Sequence, residues 1–154
     1  RGHQQSTHAH MENAMTAGPL ALAFAAAFAG AALYAVLVEQ PARAALDDRD
    51  MVREWTPSDR RGLAMLALLA LVSAGLALVA YRGGDPRWLI GAAVMIASWP
   101  YTFFVVVPLN NRLLASASDN GAGARGLLAA WGLLEWGQVA LAFVACGVFA
   151  WALG

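Results

Sequence analysis

The chain has 154 residues, of which 60% are hydrophobic and 13% are charged, and its formal net charge at pH 7 is zero. A soluble domain has roughly twice that share of charged residues, so the composition excludes an ordinary soluble globular protein. We expect an integral membrane protein that has the lipid bilayer as a partner and no nucleic-acid partner.

The N-terminal segment, residues 1–16, is polar and contains all three histidines of the chain, His3, His8 and His10. We expect a disordered tail that derives from an expression vector or from processing. The remaining domain, residues 17–154, has no histidine and a single cysteine. Because haem and transition metals are usually held by His or Cys, we expect no such metal site and no cofactor held by this chain, while metal binding by carboxylates alone stays open.

Four apolar runs follow, each close to the roughly 20 residues that a helix needs to cross a bilayer. They lie at about 17–38, 62–81, 88–107 and 127–153. Helices satisfy their own backbone hydrogen bonds in lipid, whereas open strands do not. The expected fold is therefore all-α: an integral membrane four-helix bundle of two hairpins, with both termini on the same side.

The first connection, residues 39–61, is charged, and two structures for it are open. Glu39 and Arg43 are four residues apart and can pair if the first helix continues past Pro41. The residues up to Trp55 have near-helical apolar spacing, which fits a short amphipathic helix in the membrane interface. A solvated loop is the alternative.

Two short sequences have the residue types of a helix start. Thr56-Pro-Ser-Asp59 supplies a capping hydroxyl, a proline for the first turn and a carboxylate. Asp85-Pro86 repeats the cap and the proline. We expect the second and third helices to begin at these two sites.

The arginines predict the orientation in the membrane. Seven of them lie in the connections between helices one and two and between helices three and four, against only Arg82 and Arg87 in the remaining connection. The positive-inside rule then places the two arginine-rich connections in the cytoplasm. Both termini are expected on the opposite side.

The third apolar run ends in an unusual sequence, Trp99-Pro-Tyr-Thr-Phe-Phe-Val-Val-Val-Pro-Leu-Asn-Asn-Arg112. Each of its two prolines removes a backbone donor, so we expect the helix to end near Val107 in an irregular mouth. Asn110, Asn111 and Arg112 place hydrogen-bond donors at that mouth. Such a mouth is suited to bind a ligand.

Glu135 is the only ionisable acid well inside a predicted helix, and Gln138 follows three residues later on the same face. A carboxylate in a membrane is costly unless it faces the bundle interior and has a partner, which favours a functional site. The alternative is a structural glutamate that is bonded to an arginine or to a backbone amide.

In this topology the ends of helices one and three meet the start of helix four at one end of the bundle. We expect a cytoplasm-facing pocket for a substrate or a partner at that end. The candidate residues are Glu39, Arg43, Trp55, Trp99, Tyr101, Asn110, Asn111, Arg112, Trp131, Glu135 and Gln138.

Four short motifs carry a family resemblance: Val38-Glu-Gln-Pro-Ala-Arg43, Trp55-Thr-Pro-Ser58, Pro100-Tyr-Thr102 and Pro108-Leu-Asn-Asn-Arg-Leu113. In these motifs the chain resembles the anthrone oxygenase-like family of small four-helix membrane proteins. The resemblance implies dioxygen-dependent oxidation of an aromatic polyketide-type substrate at the methylene carbon of an anthrone. The family's last helix usually has a Trp, then His or Asn, then Arg, whereas this chain has Trp131, Glu135 and Gln138.

The resemblance also implies roles for the candidate residues. Anthrone oxidation needs a base, donors for the enolate oxygen and a dry aromatic pocket. Glu135 is then the candidate base. Arg112 with Asn110 or Asn111 supplies the oxyanion donors, and Trp99, Tyr101 and Trp131 stack on the substrate. Dioxygen is the co-substrate, and no bound cofactor is required.

The alternative function is a non-catalytic small subunit or assembly factor of a larger respiratory or photosynthetic membrane complex. Helices rich in Ala and Gly pack well against other membrane proteins. On this hypothesis Glu135 and Gln138 bind a neighbouring subunit or a lipid head group, and the aromatic residues face pigment, quinone or lipid. The expected partners are therefore the bilayer, an aromatic small molecule, a larger membrane complex or further copies of the chain.

Overall fold

The computed structural model describes residues 2–117 and 123–154, with side chains for 16–116 and 123–154. This part of the chain is helical and has no strand. Two π-helical segments, Ala35–Glu39 and Thr102–Val106, join α1 to α2 and α4 to α5 without a break. The α-helices are α1 (Gly2–Tyr34), α2 (Gln40–Ala44), α3 (Asp48–Tyr81), α4 (Arg87–Tyr101), α5 (Val107–Ala117) and α6 (Ala124–Leu153).

These elements form four long rods, each apolar enough to cross a membrane: Thr16–Ala44, Asp48–Tyr81, Arg87–Ser116 and Ala124–Leu153. The rods pack in a ring in which α1 contacts α3 and α6, and α4 contacts the same two helices. Successive rods run in opposite directions, so both chain ends lie at the same end of the bundle. The predicted all-α four-helix fold is confirmed.

Residues 2–15 of the polar N-terminal segment extend α1 beyond the start of the first rod. α1 begins at Gly2, so the helix includes the residues for which we expected a disordered tail. The side chains of residues 1–15, with the three histidines, lie outside the described ones. The origin of this segment stays a prediction.

The first and third rods continue past the prolines at which the predicted helices ended. A proline ring in a helix collides with the carbonyl four residues back. In the residue before Pro41 and in the residue before Pro108, the backbone N–H donates to the carbonyl five residues back. The turn is therefore wider than in an α-helix, and the carbonyl that the proline ring would meet is moved aside. The predicted ends at Val38 and Val107 are therefore wrong, and the expected irregular mouth is helical.

The second rod begins earlier than predicted. Asp47 caps α3, because its carboxylate accepts a hydrogen bond from the Asp50 N–H at 2.9 Å. The Thr56 hydroxyl, the predicted cap, instead donates to the Val52 carbonyl inside the helix. The connection at 39–61 is consequently helical except for a turn at 45–47, and its charged residues extend the two rods.

The predicted start of the third rod agrees closely with the structure. The Asp85 carboxylate accepts a hydrogen bond from the Arg87 N–H at 2.9 Å and pairs with the Arg87 guanidinium at 2.7 Å. The side-chain hydrogen bond from Arg87 holds the pKa of Asp85 below its ordinary value. Arg87 also lies 5.2 Å from the ring centre of Trp151, which ties the start of α4 to the end of α6.

Two apolar clusters form the core, and a polar layer separates them. The larger cluster consists mainly of alanines from α1, α3 and α6, together with Phe28, Trp88 and Phe149. The smaller cluster lies near the 45–47 turn and contains Met51, Val52, Trp55, Val106, Leu113, Ala124, Leu128 and Trp131. The second, third and fourth rods contribute to both clusters, whereas the first contributes only to the larger one. The polar layer between the clusters holds the candidate site.

We expect Gly91→Ala to destabilise the bundle by about 1–3 kcal/mol, the usual range for overpacking. A Cβ at Gly91 would meet the Phe149 ring, which is fully buried and stacked on Trp88. Thermal unfolding in detergent measures the effect. Gly30→Ala is the control because its Cβ meets nothing within 4 Å; equal losses in both variants would contradict the packing argument.

Candidate active site

The polar layer encloses a small cavity in which buried polar side chains converge. The cavity has a volume of about 50 Å³, and its polar lining includes Arg43, Asp59, Glu135 and Gln138. Arg43, Glu135 and Gln138 are only 2%, 6% and 3% exposed, whereas Asp59 is partly buried. So many polar groups at this depth need mutual partners or a ligand.

Arg43 is the cation of this layer. Its Nη2 lies 2.6 Å from the Glu39 carboxylate, which confirms the predicted pairing across Pro41, and its Nε lies 2.5 Å from Glu54. Nη2 also donates to the Ser58 hydroxyl. Nη1 is buried and has no hydrogen-bond partner among the described residues. The Nη1 nitrogen of the guanidinium is therefore available to donate to a ligand.

Two tryptophans close the layer on the side of the 45–47 turn. Trp55 and Trp131 meet edge to face with ring centres 6.2 Å apart, and the Arg43 guanidinium lies 5.7 Å from the Trp131 ring centre. Trp131 lines the cavity, whereas Trp55 lies behind it in the smaller cluster. Arg43 therefore contacts the Trp131 ring, and Trp131 in turn contacts Trp55.

Two carboxylates share the cavity. Asp59 accepts a hydrogen bond from Asn110 Nδ2 at 2.9 Å. Glu135 has no hydrogen-bond partner in the described part of the chain, and the charges that act on it are those of Asp59 and Arg43. A carboxylate in this setting is free to accept a proton from a ligand.

Sequence reasoning missed Asp59 because it assigned that carboxylate to a helix cap. α3 in fact begins at Asp48, so Asp59 is well inside the helix and four residues after Trp55. Residues four apart lie on the same helical face. Met51, Trp55 and Asp59 follow one another at intervals of four residues. This helical spacing from two large apolar residues is the signal that could have placed Asp59 inside the bundle.

Gln138 and Tyr101 join α6 to the third rod at the level of the cavity. Gln138 Nε2 donates to the Thr102 hydroxyl, and the Tyr101 hydroxyl donates to the Leu134 carbonyl at 2.6 Å. A Cβ at Gly137 would collide with the Tyr101 ring, so glycine permits this approach. Tyr101 therefore has a helix-to-helix contact in place of the predicted stacking position.

The structure does not bring Asn111 and Arg112 to the cavity. Both are exposed, whereas Asn110 and Leu113 are buried. We predicted an irregular mouth in which all three polar residues supply hydrogen-bond donors to a ligand. Because α5 is a regular helix, residues 110 and 113 share the inner face, and 111 and 112 point outward.

A larger apolar groove adjoins the cavity. It lies between α3 and the third rod, and its volume is about 230 Å³. Trp99, one of the predicted pocket residues, is 45% exposed at its rim. The groove is lined by Phe28, Leu63, Leu66, Ala67, Trp99, Thr102, Phe103, Val107 and Gln138.

Metal-ligating side chains do not cluster in this site. Among the described residues, no three His, Cys, Asp or Glu side chains are grouped as the ligands of a metal would be. The expectation that the chain works without a metal or cofactor stays a prediction.

Comparison with known families supports the resemblance seen in the short motifs. The model of the family described as Anthrone oxygenase matches residues 55–148, well over half of the chain. The match includes Asp59, Asn110, Glu135 and Gln138, and Arg43 lies before it. No curated protein and no solved structure matches. The chain therefore belongs to the anthrone oxygenase family.

Proposed function

We propose that this chain uses dioxygen to oxidise the methylene carbon of an anthrone-type aromatic ketone to a carbonyl. The main support is the position of Glu135, which borders a cavity next to an apolar groove. The residue is 6% exposed, and its carboxylate has no hydrogen-bond partner among the described residues. A carboxylate at this depth in a membrane-spanning bundle is costly unless it is paired, which favours a role in proton transfer.

Glu135 acts as the base in the first step. The methylene of an anthrone is acidic because its carbanion is delocalised as an aromatic enolate. Glu135 removes one proton, and the free Nη1 of Arg43 donates a hydrogen bond to the enolate oxygen. Glu135 keeps that proton until the next step, with Asp59 as a second carboxylate beside it in the cavity.

Dioxygen is the oxidant in the second step. The enolate transfers electrons to dioxygen, a carbon–oxygen bond forms, and the proton held by Glu135 returns to give a hydroperoxide. Removal of the second methylene proton then breaks the oxygen–oxygen bond, which leaves the carbonyl and releases water. The sum is one CH₂ group and one O₂ converted to one C=O and one H₂O, so no other oxidant and no bound cofactor are needed.

The burial of the polar layer supports the enzyme over the non-catalytic subunit. A subunit that uses Glu135 and Gln138 to hold a neighbour must present them on its surface, but both lie inside the bundle. We also propose, from the distribution of arginines in the sequence, that the two arginine-rich connections lie in the cytoplasm. Contacts with other membrane proteins or with further copies of the chain are likewise proposed from the sequence.

Oxygen uptake by the purified chain in lipid nanodiscs tests this function. With dithranol, an anthrone, we expect uptake above the autoxidation seen with empty nanodiscs. One O₂ should be consumed per anthrone, and oxygen-18 from labelled O₂ should appear in the new carbonyl. Uptake equal to that of empty nanodiscs, or a carbonyl without label, would show that the assignment is wrong.

A further inference from the structure

The cavity at Glu135 is too small for the substrate class proposed for it. Pockets for drug-sized ligands have volumes of about 300–1,000 Å³, and this cavity has about 50 Å³. A fused aromatic ring system that reacts at Glu135 can place only part of its central ring there, between Glu135 and Arg43. The rest of the molecule must lie in an adjoining space.

The groove between α3 and the third rod is that adjoining space. Leu63, Leu66 and Gln138 line both the groove and the cavity, so the two spaces are adjacent. The groove has about 230 Å³ and an almost wholly apolar lining. It therefore suits the outer rings, while the cavity takes the reacting part of the central ring.

Gln138 lies at the junction with an unused acceptor. Its Nε2 donates to the Thr102 hydroxyl, while its Oε1 is buried and has no partner among the described residues. The side chain is 3% exposed, so bulk water does not satisfy that oxygen. A hydroxyl on a molecule in the groove would supply the missing donor.

The surroundings of the cavity also indicate the direction of entry. Trp55, Trp131 and Leu113 are at most 4% exposed and close the layer on the side of the 45–47 turn. The groove, by contrast, opens sideways between two rods that are apolar enough to span a membrane, with Trp99 and Phe103 exposed at its rim. A molecule dissolved among the lipid chains can reach Gln138 by this path.

We propose that the groove is both the binding site for the aromatic body of the substrate and its entrance from the bilayer. The occupant is a planar, apolar, polycyclic aromatic compound with a phenolic hydroxyl. The hydroxyl donates to Gln138 Oε1, and the methylene carbon of the central ring reaches Glu135. This inference rests on the proposed function for the chemistry at Glu135, but the binding site can be tested without turnover.

Equilibrium binding of dihydroxyanthraquinone to the chain in nanodiscs tests the groove, because this quinone has the ring body and hydroxyls but no methylene to oxidise. We expect Ala67→Phe, which fills the groove, to raise its Kd at least tenfold. Ala64→Phe is the matched control, since Ala64 is exposed on the same helix and does not line the groove. It should leave the Kd unchanged.

A second variant keeps the test decisive if Ala67→Phe does not fold. Gln138→Leu should weaken binding of dihydroxyanthraquinone but not of anthraquinone, which has no hydroxyl to donate. Equal weakening of both quinones would overturn the role of Gln138 as the acceptor.

The outcomes separate this inference from the proposed function. An unchanged Kd in folded Ala67→Phe, or no binding to the wild-type chain, means that the groove holds lipid rather than substrate and overturns the inference. If the quinones bind as expected but the chain does not oxidise anthrone, the groove stands as a binding site and the proposed oxidation is wrong. If wild type and Ala67→Phe oxidise anthrone with the same KM, the proposed oxidation stands and the groove is not the substrate site.

Discussion

Replacement of Glu135 by glutamine is expected to lower the rate of anthrone oxidation by about 10²–10⁴-fold, the usual contribution of a general base. Glutamine has the same shape but cannot accept the methylene proton. The variant should remain folded, because the Glu135 carboxylate has no hydrogen bond to lose among the described residues and has Asp59 as a like-charged neighbour. Initial rates of labelled carbonyl formation measure the loss.

Two further variants show whether that loss is specific to the base. Glu135→Asp keeps a carboxylate on a shorter side chain and should restore part of the rate. Asp50→Asn removes an exposed carboxylate from the first turn of α3 and should leave the rate unchanged. If Glu135→Gln instead keeps nearly the full rate, Glu135 is not the base.

Replacement of Arg43 by leucine is expected to destabilise the bundle by about 3 kcal/mol. Removing one partner of a buried ion pair usually costs about 3–5 kcal/mol. The lower end applies here because solvent screens the Glu39 and Glu54 side chains, which are 36% and 46% exposed. Thermal unfolding should shift downward by roughly 6–12 °C, and oxidation should be lost with the donor for the enolate oxygen.

Arg112 provides the matched control, because the family resemblance assigned the oxyanion donor to Arg112 and not to Arg43. Arg112 is exposed on α5, so Arg112→Leu should change neither the unfolding temperature nor the rate by much. Arg43→Lys should keep part of the stability, because the charge remains, but lose rate, since lysine has no further nitrogen to replace the free Nη1 donor. Equal losses in Arg112→Leu and Arg43→Leu would contradict the assignment of the cation to Arg43.

Much of the polar layer could be predicted from the sequence because charge is rare in this chain. Glu135 and Gln138 stand out in an apolar helix, and Glu39 with Arg43 has the spacing of a helical pair. All four lie in or beside the cavity. Asp59 could not be found in the same way, because it sits among other charged residues and its face depends on where α3 begins.

The exit of the third rod shows the opposite case. Pro108 suggested the end of a helix, and the polar residues after it suggested an open mouth. The π-helical segment at Thr102–Val106 removes the clash of the proline ring, so the helix continues. Because the helix is regular there, Asn110 lies on its inner face and Arg112 on its outer face.

The sequence by itself determined the class, the number of rods and the presence of buried polar groups, because these follow from hydropathy and from residues whose burial is costly. Only the tertiary structure decided which polar residues share the cavity and which apolar ones form the groove. Both depend on the rotation of each helix about its axis, and one wide turn before a proline changes that rotation. Local composition does not encode it, whereas the packing of four rods against one another does.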